Sequence, residues 1–180
     1  VPVARFPQLF SGRCRGQIVF YFILFSFSLI MSQETTAGIL RTSVTWADFE
    51  NQLRSALATD ALLGPNKSVV DIGDGNGFAS CCGLIKCDWI GATAEENLPC
   101  TVVLKIPSAL PMRRLNDSLP PGQKMFDYDE EGWAKLQTEH EEIHNIEVAT
   151  YDYFAEFEGL AVPRMYYGIP ADVEVRYVTG

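Results

Sequence analysis

The chain has 180 residues, of which 47% are hydrophobic and 21% are charged, a composition that suits one globular domain or one lobe of a larger protein. Its formal net charge of −9 excludes the broad basic surface of a nucleic-acid-binding protein, although a local basic pocket for a small anion is compatible with it. The cysteines at 81, 82, 87 and 100 lack zinc-site spacing and predict reduced interior thiols in a cytoplasmic protein, with no disulfide framework.

Residues 1–30 differ from the rest of the chain. Three arginines precede an apolar block, Ile18 to Ile30, which is typical of a signal peptide or a short anchor. The block is shorter than the roughly 18 to 20 residues that span a bilayer. We therefore favour a natural start at Met31, with residues 1–30 as upstream sequence or a variable extension. The alternative is a real signal or anchor, which would make the protein membrane-associated or secreted.

A helix is predicted after Thr45, which can cap its first turn, and Asp48 stands at the reciprocal position of a capping box. Gly64-Pro-Asn66 is expected to end it. Apolar residues recur at helical spacing and predict a core-facing stripe of Trp46, Phe49, Leu53 and Leu57.

A glycine-rich turn lies between two predicted strands, Ser68 to Ile72 and Phe78 to Ile90. Alternating glycines allow the backbone to approach a ligand closely and to direct amide N–H groups at an anion. We therefore predict a phosphate-binding turn, although an ordinary hairpin loop is also compatible with the pattern. The turn consists of Gly73, Asp74, Gly75, Asn76 and Gly77.

The stretch from Val69 to Gly77 also resembles the first motif of methyltransferases that use S-adenosylmethionine, with Asp88 available for the ribose. That motif requires a helix directly after the glycines. Phe78 to Ile85 contains few strong helix formers and an interior glycine, so we keep this function as the alternative.

Thr101 to Ser108 predicts a buried strand with Lys105 in its middle. An ammonium group there is costly unless an anion meets it or the side chain reaches water at a sheet edge. Pro107 to Gly132 is rich in proline and is predicted to be a long loop.

Trp133 to Phe157 is predicted to be the longest helix, and Glu147 is the carboxylate best placed to meet Lys105. Most of the other glutamates are expected to face solvent, and His144 is expected to be a surface or helix-packing residue, with a site residue as the alternative. Strands are predicted at Val162 to Tyr167 and at Val173 to Val178. The buried stripe of the helix is predicted to consist of Leu136, Ile143, Ile146, Thr150, Phe154 and Phe157.

The order of these elements, together with several short sequence motifs, resembles the nematode choline-kinase-like (CHK) and ecdysteroid-kinase-like families, within the protein-kinase-like superfamily. The resemblance covers about residues 43–180 and implies that residues 31–180 form an incomplete α+β domain: the small lobe, an antiparallel sheet with a long helix packed on it. It is carried by Thr45-Trp46, Gly64-Pro-Asn-Lys67, Ile72-Gly-Asp-Gly-Asn-Gly-Phe78, Val103-Leu-Lys-Ile-Pro-Ser108 and His144-Asn-Ile-Glu147-Val-Ala-Thr-Tyr151.

The resemblance implies that Lys105 holds the phosphates of ATP, that Glu147 positions this lysine, and that residues 73–77 cover the nucleotide. It implies a small-molecule hydroxyl as acceptor and Mg²⁺ bound mainly by the large lobe. The catalytic aspartate and the metal-binding residues of such enzymes are not identifiable in the sequence. We therefore expect no phosphotransfer by this chain alone, and a non-catalytic pseudokinase is a further alternative.

Overall fold

The structure is a computed structural model, and it describes residues 21–24, 38–73, 77–160 and 162–171. Within these ranges the chain forms seven strands and three α-helices. The strands are β1 (Tyr21–Leu24), β2 (Leu62–Leu63), β3 (Ser68–Asp71), β4 (Ser80–Lys86), β5 (Trp89–Ile90), β6 (Thr101–Pro107) and β7 (Arg164–Gly168); the helices are α1 (Trp46–Leu57), α2 (Leu110–Ser118) and α3 (Glu130–Phe154).

Five strands form the main sheet in the order β3-β4-β6-β1-β7, and β2 pairs with β5 in a small antiparallel sheet. The neighbours β3, β4 and β6 are antiparallel, and α3 packs on this sheet, so the predicted α+β class is confirmed. Strand β1 lies between β6 and β7 and is parallel to both. It comes from the predicted hydrophobic extension, most of which lies outside the described residues, as does the strand predicted at 173–178.

Helix α1 begins at the predicted capping box. The Thr45 amide donates to Asp48 Oδ2 at 2.9 Å, and the Asp48 amide donates to Thr45 Oγ1 at 3.2 Å. Phe49 and Leu53 are fully buried, which confirms the predicted core stripe. The helix ends earlier than predicted, because Ala58 adopts a left-handed conformation with φ 50° that terminates it.

The two faces of β6 have different neighbours because successive side chains of a strand point to opposite sides. Val102, Leu104 and Ile106 are buried in the core with the apolar side of α1. Val103 and Lys105 point to the other face, where Lys105 meets α3. The sheet is therefore a layer between α1 and α3, and the lysine lies on the α3 side.

The prediction of a continuous loop from Pro107 to Gly132 is wrong, because α2 occupies its first third. Pro111 stands in the first turn of this helix. Backbone N–H groups there have no intrahelical acceptor, so the missing N–H of proline costs no hydrogen bond. The next segment is ordered by Asn116, whose side chain donates to the Phe126 carbonyl and accepts from the Phe126 amide.

The predicted long helix is confirmed, although it begins three residues earlier, after its cap Asp129, and ends at Phe154. Its predicted buried stripe is wrong at four of six positions, and the other two, Leu136 and Phe154, are half-buried. Ile143, Ile146, Thr150 and Phe157 are exposed, and the buried positions are mostly polar. The buried residues are Trp133, Gln137, His140, Glu141, His144 and Val148.

The prediction that all of these cysteines are reduced is wrong at Cys100, which is disulfide-bonded. Cys81, Cys82 and Cys87 are free thiols. None of the helices in the described part of the chain is both long enough and apolar enough to cross a membrane.

Candidate functional site

Lys105 and Glu147 form the ion pair that the sequence predicted. Lys105 Nζ lies 2.5 Å from Glu147 Oε2, and each side chain is 25% exposed. The pair joins the centre of β6 to the middle of α3. Because both groups are partly open to water, the ammonium group retains a side that faces solvent and can bind a second anion.

The glycine-rich turn begins at the same level of the sheet as Lys105. Lys105 lies opposite Cys82 in the β4–β6 pair, and the Ile72 amide donates to the Cys82 carbonyl at 2.9 Å. One row of paired residues therefore runs across the sheet, from the end of β3 through β4 to β6, and consists of Ile72, Cys82 and Lys105. Two strand spacings separate the row's ends, about 9–10 Å.

The backbone is tight where the turn begins. The Gly73 amide donates to Asp71 Oδ1 at 2.9 Å, and the Gly77 amide donates to the Gly73 carbonyl at 3.2 Å. A Cβ on Gly73 would lie 3.1 Å from the Cys82 nitrogen, so a side chain there would press on the neighbouring strand. Asp74, Gly75 and Asn76 lie outside the described residues, and their predicted contact with a nucleotide stays a prediction.

Gln137 clamps α3 to the end of β6, a function that sequence reasoning missed. Its Oε1 accepts from the Ala109 amide at 2.9 Å, and its Nε2 donates to the Pro107 carbonyl at 3.2 Å and to Glu141 Oε1 at 2.9 Å. Burial raises the pKa of the Glu141 carboxyl, and the bond from Gln137 opposes this shift. The clamp fixes the helix along the strand, and with it the distance from Glu147 to Lys105.

Two histidines hold α3 against other backbone segments. His144 Nε2 lies 3.0 Å from the Ile169 carbonyl, and His140 bonds to the backbone at Ser108. Burial lowers the pKa of both imidazoles. Asn145 adds a paired contact with Ala171, accepting from its amide and donating to its carbonyl. The packing interpretation of His144 is confirmed.

The spacing His140-Glu141-x-x-His144 also matches the zinc-binding motif of metalloproteases. In that motif both imidazoles bind the metal. Here each imidazole bonds to the backbone of a different segment, and Nδ1 of each ring is buried without a hydrogen-bond partner among the described residues. Among the residues that the structure describes, no group of three or more His, Cys, Asp or Glu side chains is arranged to hold a metal ion.

Comparison with known protein families shows that residues 32–176 fit the family model DUF1679, described as "Uncharacterized oxidoreductase dhs-27". The match covers most of the chain. The chain belongs to the DUF1679 family. No curated protein and no solved structure matches it.

In this DUF1679 member the sheet face around Lys105 carries apolar side chains with open surface. Val70 lies opposite Leu84, and Leu84 lies opposite Val103, so the three share the face of Lys105. Val70 is exposed, Leu84 is half-buried and Val103 is buried. A flat apolar surface next to an ammonium group suits a ligand with one planar and one anionic end.

In this DUF1679 member Asp88 bonds to the protein's own backbone. The methyltransferase alternative assigned this residue to a ribose. Asp88 Oδ2 accepts from the Asn66 amide at 2.8 Å, and its carbonyl accepts from the Gly64 amide at 2.6 Å. A strand, β4, follows the glycine-rich turn where that alternative needs a helix. The first helical turn that would bind the cofactor is therefore replaced by extended backbone.

Proposed function

We propose that this chain is the nucleotide-binding lobe of a kinase-like phosphotransferase that acts on a small-molecule hydroxyl. In this proposal Lys105 binds the phosphates of ATP and Glu147 orients the lysine. The backbone amides of residues 73–77 cover the phosphates in this proposal. The observation that carries the proposal is the Lys105–Glu147 ion pair at the level of the sheet where β3 leads into the glycine-rich turn.

The electrostatics of the pair suit this function. A lysine that bonds to one carboxylate keeps two further N–H donors, and the half-open position of Lys105 lets them reach phosphate oxygens. Glu147 holds the ammonium group in one place, so that little side-chain entropy is lost when the nucleotide binds. Val70 and Leu84 supply an apolar surface for the base.

ATP supplies the phosphoryl group in this proposal, and Mg²⁺ offsets its charge. The resemblance to kinase-like enzymes implies that the metal ligands and the hydroxyl acceptor's contacts come mainly from the large lobe of such enzymes. We expect the chain alone to bind nucleotide without transferring phosphate. The pseudokinase alternative differs only in whether the complete protein transfers phosphate.

The description of the family model names an oxidoreductase, and one common class of oxidoreductases uses a dinucleotide. Dinucleotide sites of the common type need parallel strands joined by helices and a helix directly after the glycines. Strands β3, β4 and β6 are antiparallel, and β4 follows the glycines. These features favour a phosphate-binding hairpin over a dinucleotide site or a methyltransferase site.

A ligand panel tests the proposal on the full chain. The melting temperature is measured with MgATP, S-adenosylmethionine, NADH and NADPH, each at millimolar concentration. We expect MgATP to raise it and the other three to leave it unchanged. A shift with NADH, NADPH or S-adenosylmethionine and none with MgATP would overturn the proposal.

Two lysine variants then locate the site. Loss of a charge-assisted hydrogen bond costs about 1.5–3 kcal/mol, so Lys105→Met is expected to weaken MgATP binding about 10- to 100-fold. Lys86→Met removes an exposed lysine at the end of β4 and serves as the control. Equal affinities of the Lys105→Met and Lys86→Met variants for MgATP would show that Lys105 does not bind the nucleotide.

A further inference from the structure

Helix α3 and the turn that follows it expose a continuous apolar stripe. We call it the outer stripe of α3; its members are Ile143, Ile146, Thr150, Tyr153 and Phe157. The exposed fractions of Ile143, Ile146, Tyr153 and Phe157 are 56%, 54%, 57% and 48%. The Tyr153 and Phe157 rings lie 5.0 Å apart.

The spacing of the outer stripe is alternately three and four residues, which is the a and d pattern of a helix that pairs with another helix. Thr150 does not interrupt it, because its hydroxyl donates to the Ile146 carbonyl at 2.7 Å and is satisfied within α3. An ordinary amphipathic helix turns this stripe toward its own core. Here four of the six buried residues of α3 are polar, and the outer stripe is exposed.

Charge distinguishes among the partners that could cover this stripe. From Leu136 to Pro163 the chain contains no lysine or arginine. Glu142 precedes Ile143 and Glu156 precedes Phe157, so carboxylates flank the stripe. A second copy of α3 would bring acidic flanks together, and an anionic lipid surface would be repelled in the same way. The acidic residues of this segment are Glu139, Glu141, Glu142, Glu147, Asp152, Glu156 and Glu158.

We propose that the outer stripe of α3 is a docking surface for a basic amphipathic helix of a partner protein. Leucine-sized side chains of the partner pack between Ile143, Ile146 and Tyr153, and its lysines or arginines meet Glu142 and Glu156. The proposal is independent of nucleotide binding, because the stripe lies on the side of α3 that faces away from Lys105.

A pair of synthetic peptides tests this proposal with the full chain. Both have three heptads with leucine at positions a and d; one has lysine at e and g, and the other has glutamate there. Fluorescence anisotropy is expected to show binding of the lysine peptide, weakened by added salt, and at least tenfold weaker binding of the glutamate peptide. Equal affinities for the two peptides, or no binding of either, would overturn the proposal.

Matched variants locate the binding surface. Ile146→Asp and Tyr153→Asp should each weaken binding of the lysine peptide at least tenfold. Ile90→Asp, on an equally exposed isoleucine of β5, should leave it unchanged. Circular dichroism confirms that the variants are folded. Three results would assign the stripe to another occupant and overturn the proposal: a dimer that Ile146→Asp dissociates, binding to anionic vesicles that Ile146→Asp abolishes, or peptide binding seen only after removal of residues 1–20.

Discussion

Lys105 and Glu147 lie 42 positions apart in the chain, and their side chains meet at 2.5 Å between β6 and α3. Both are a quarter exposed, so water solvates part of each charge. The pair is therefore neither sealed in the core nor a surface contact. This intermediate burial is compatible with the proposed function, in which the lysine is held in place and binds a phosphate.

Removal of one charge from the pair should have a moderate effect on stability. A fully buried pair that loses a partner costs about 3–5 kcal/mol, and an exposed pair costs at most about 1 kcal/mol. Because the side chains are partly exposed, we expect Glu147→Gln to lower the free energy of unfolding by about 1–2 kcal/mol in urea titrations. Glu142→Gln, on the outer side of α3, should change it by less than about 0.5 kcal/mol. A loss from Glu147→Gln no larger than the control's would mean that the pair adds nothing to the fold.

The clamp at Gln137 should matter more for stability than the ion pair. Gln137→Ala leaves the Ala109 amide and the Pro107 carbonyl without this partner in a buried region, and each such group costs about 1–3 kcal/mol. We expect a loss of about 2–4 kcal/mol, measured by urea unfolding. Gln123→Ala removes an exposed glutamine in the loop before α3 and should change the free energy by less than about 0.5 kcal/mol. Similar losses of unfolding free energy in the two variants would contradict the role of Gln137 in holding α3 to the end of β6.

Both histidines should titrate below the ordinary value of 6.5, because burial lowers their pKa. The unfolded chain then takes up protons below pH 6.5 that the folded chain does not, so the free energy of unfolding falls as the pH decreases through that range. The raised pKa of Glu141 acts in the opposite direction, above the ordinary value of 4.5. The chain has only two histidines, so two imidazole signals report the titration directly by NMR. Values at or above 6.5 would show that the imidazoles are solvated.

The cysteines should differ in reactivity. Burial raises the pKa of Cys81 to about 11 and that of Cys87 to about 12, so few of their thiols are ionised at neutral pH. Cys82 is a free thiol and is only half-buried. Alkylation with iodoacetamide at pH 7.5, followed by peptide mapping, should therefore modify Cys82 first and Cys100 only after reduction. Early modification of Cys81 or Cys87 would indicate that the β4 region opens, and modification of Cys100 without reductant would contradict its disulfide.

Local signals in the sequence predicted several elements well. The Thr45–Asp48 capping box and the apolar run from Val102 to Ile106 depend on neighbouring residues only, and both predicted elements are present. Helix α2 was missed because the prolines in and around it indicated a loop, although proline in a first turn is compatible with a helix.

The sequence by itself determined where the lysine strand and the long helix occur, because β-branched runs and helical caps act within a few residues. Only the tertiary structure decided which side of α3 faces the sheet. Periodicity favoured the apolar side, but the segments that α3 covers, after β6 at Ala109 and after β7 at Ala171, carry backbone polar groups that need partners. Gln137 and Asn145 satisfy those groups, and this orientation both places Glu147 against Lys105 and leaves Ile143 and Ile146 on the outside.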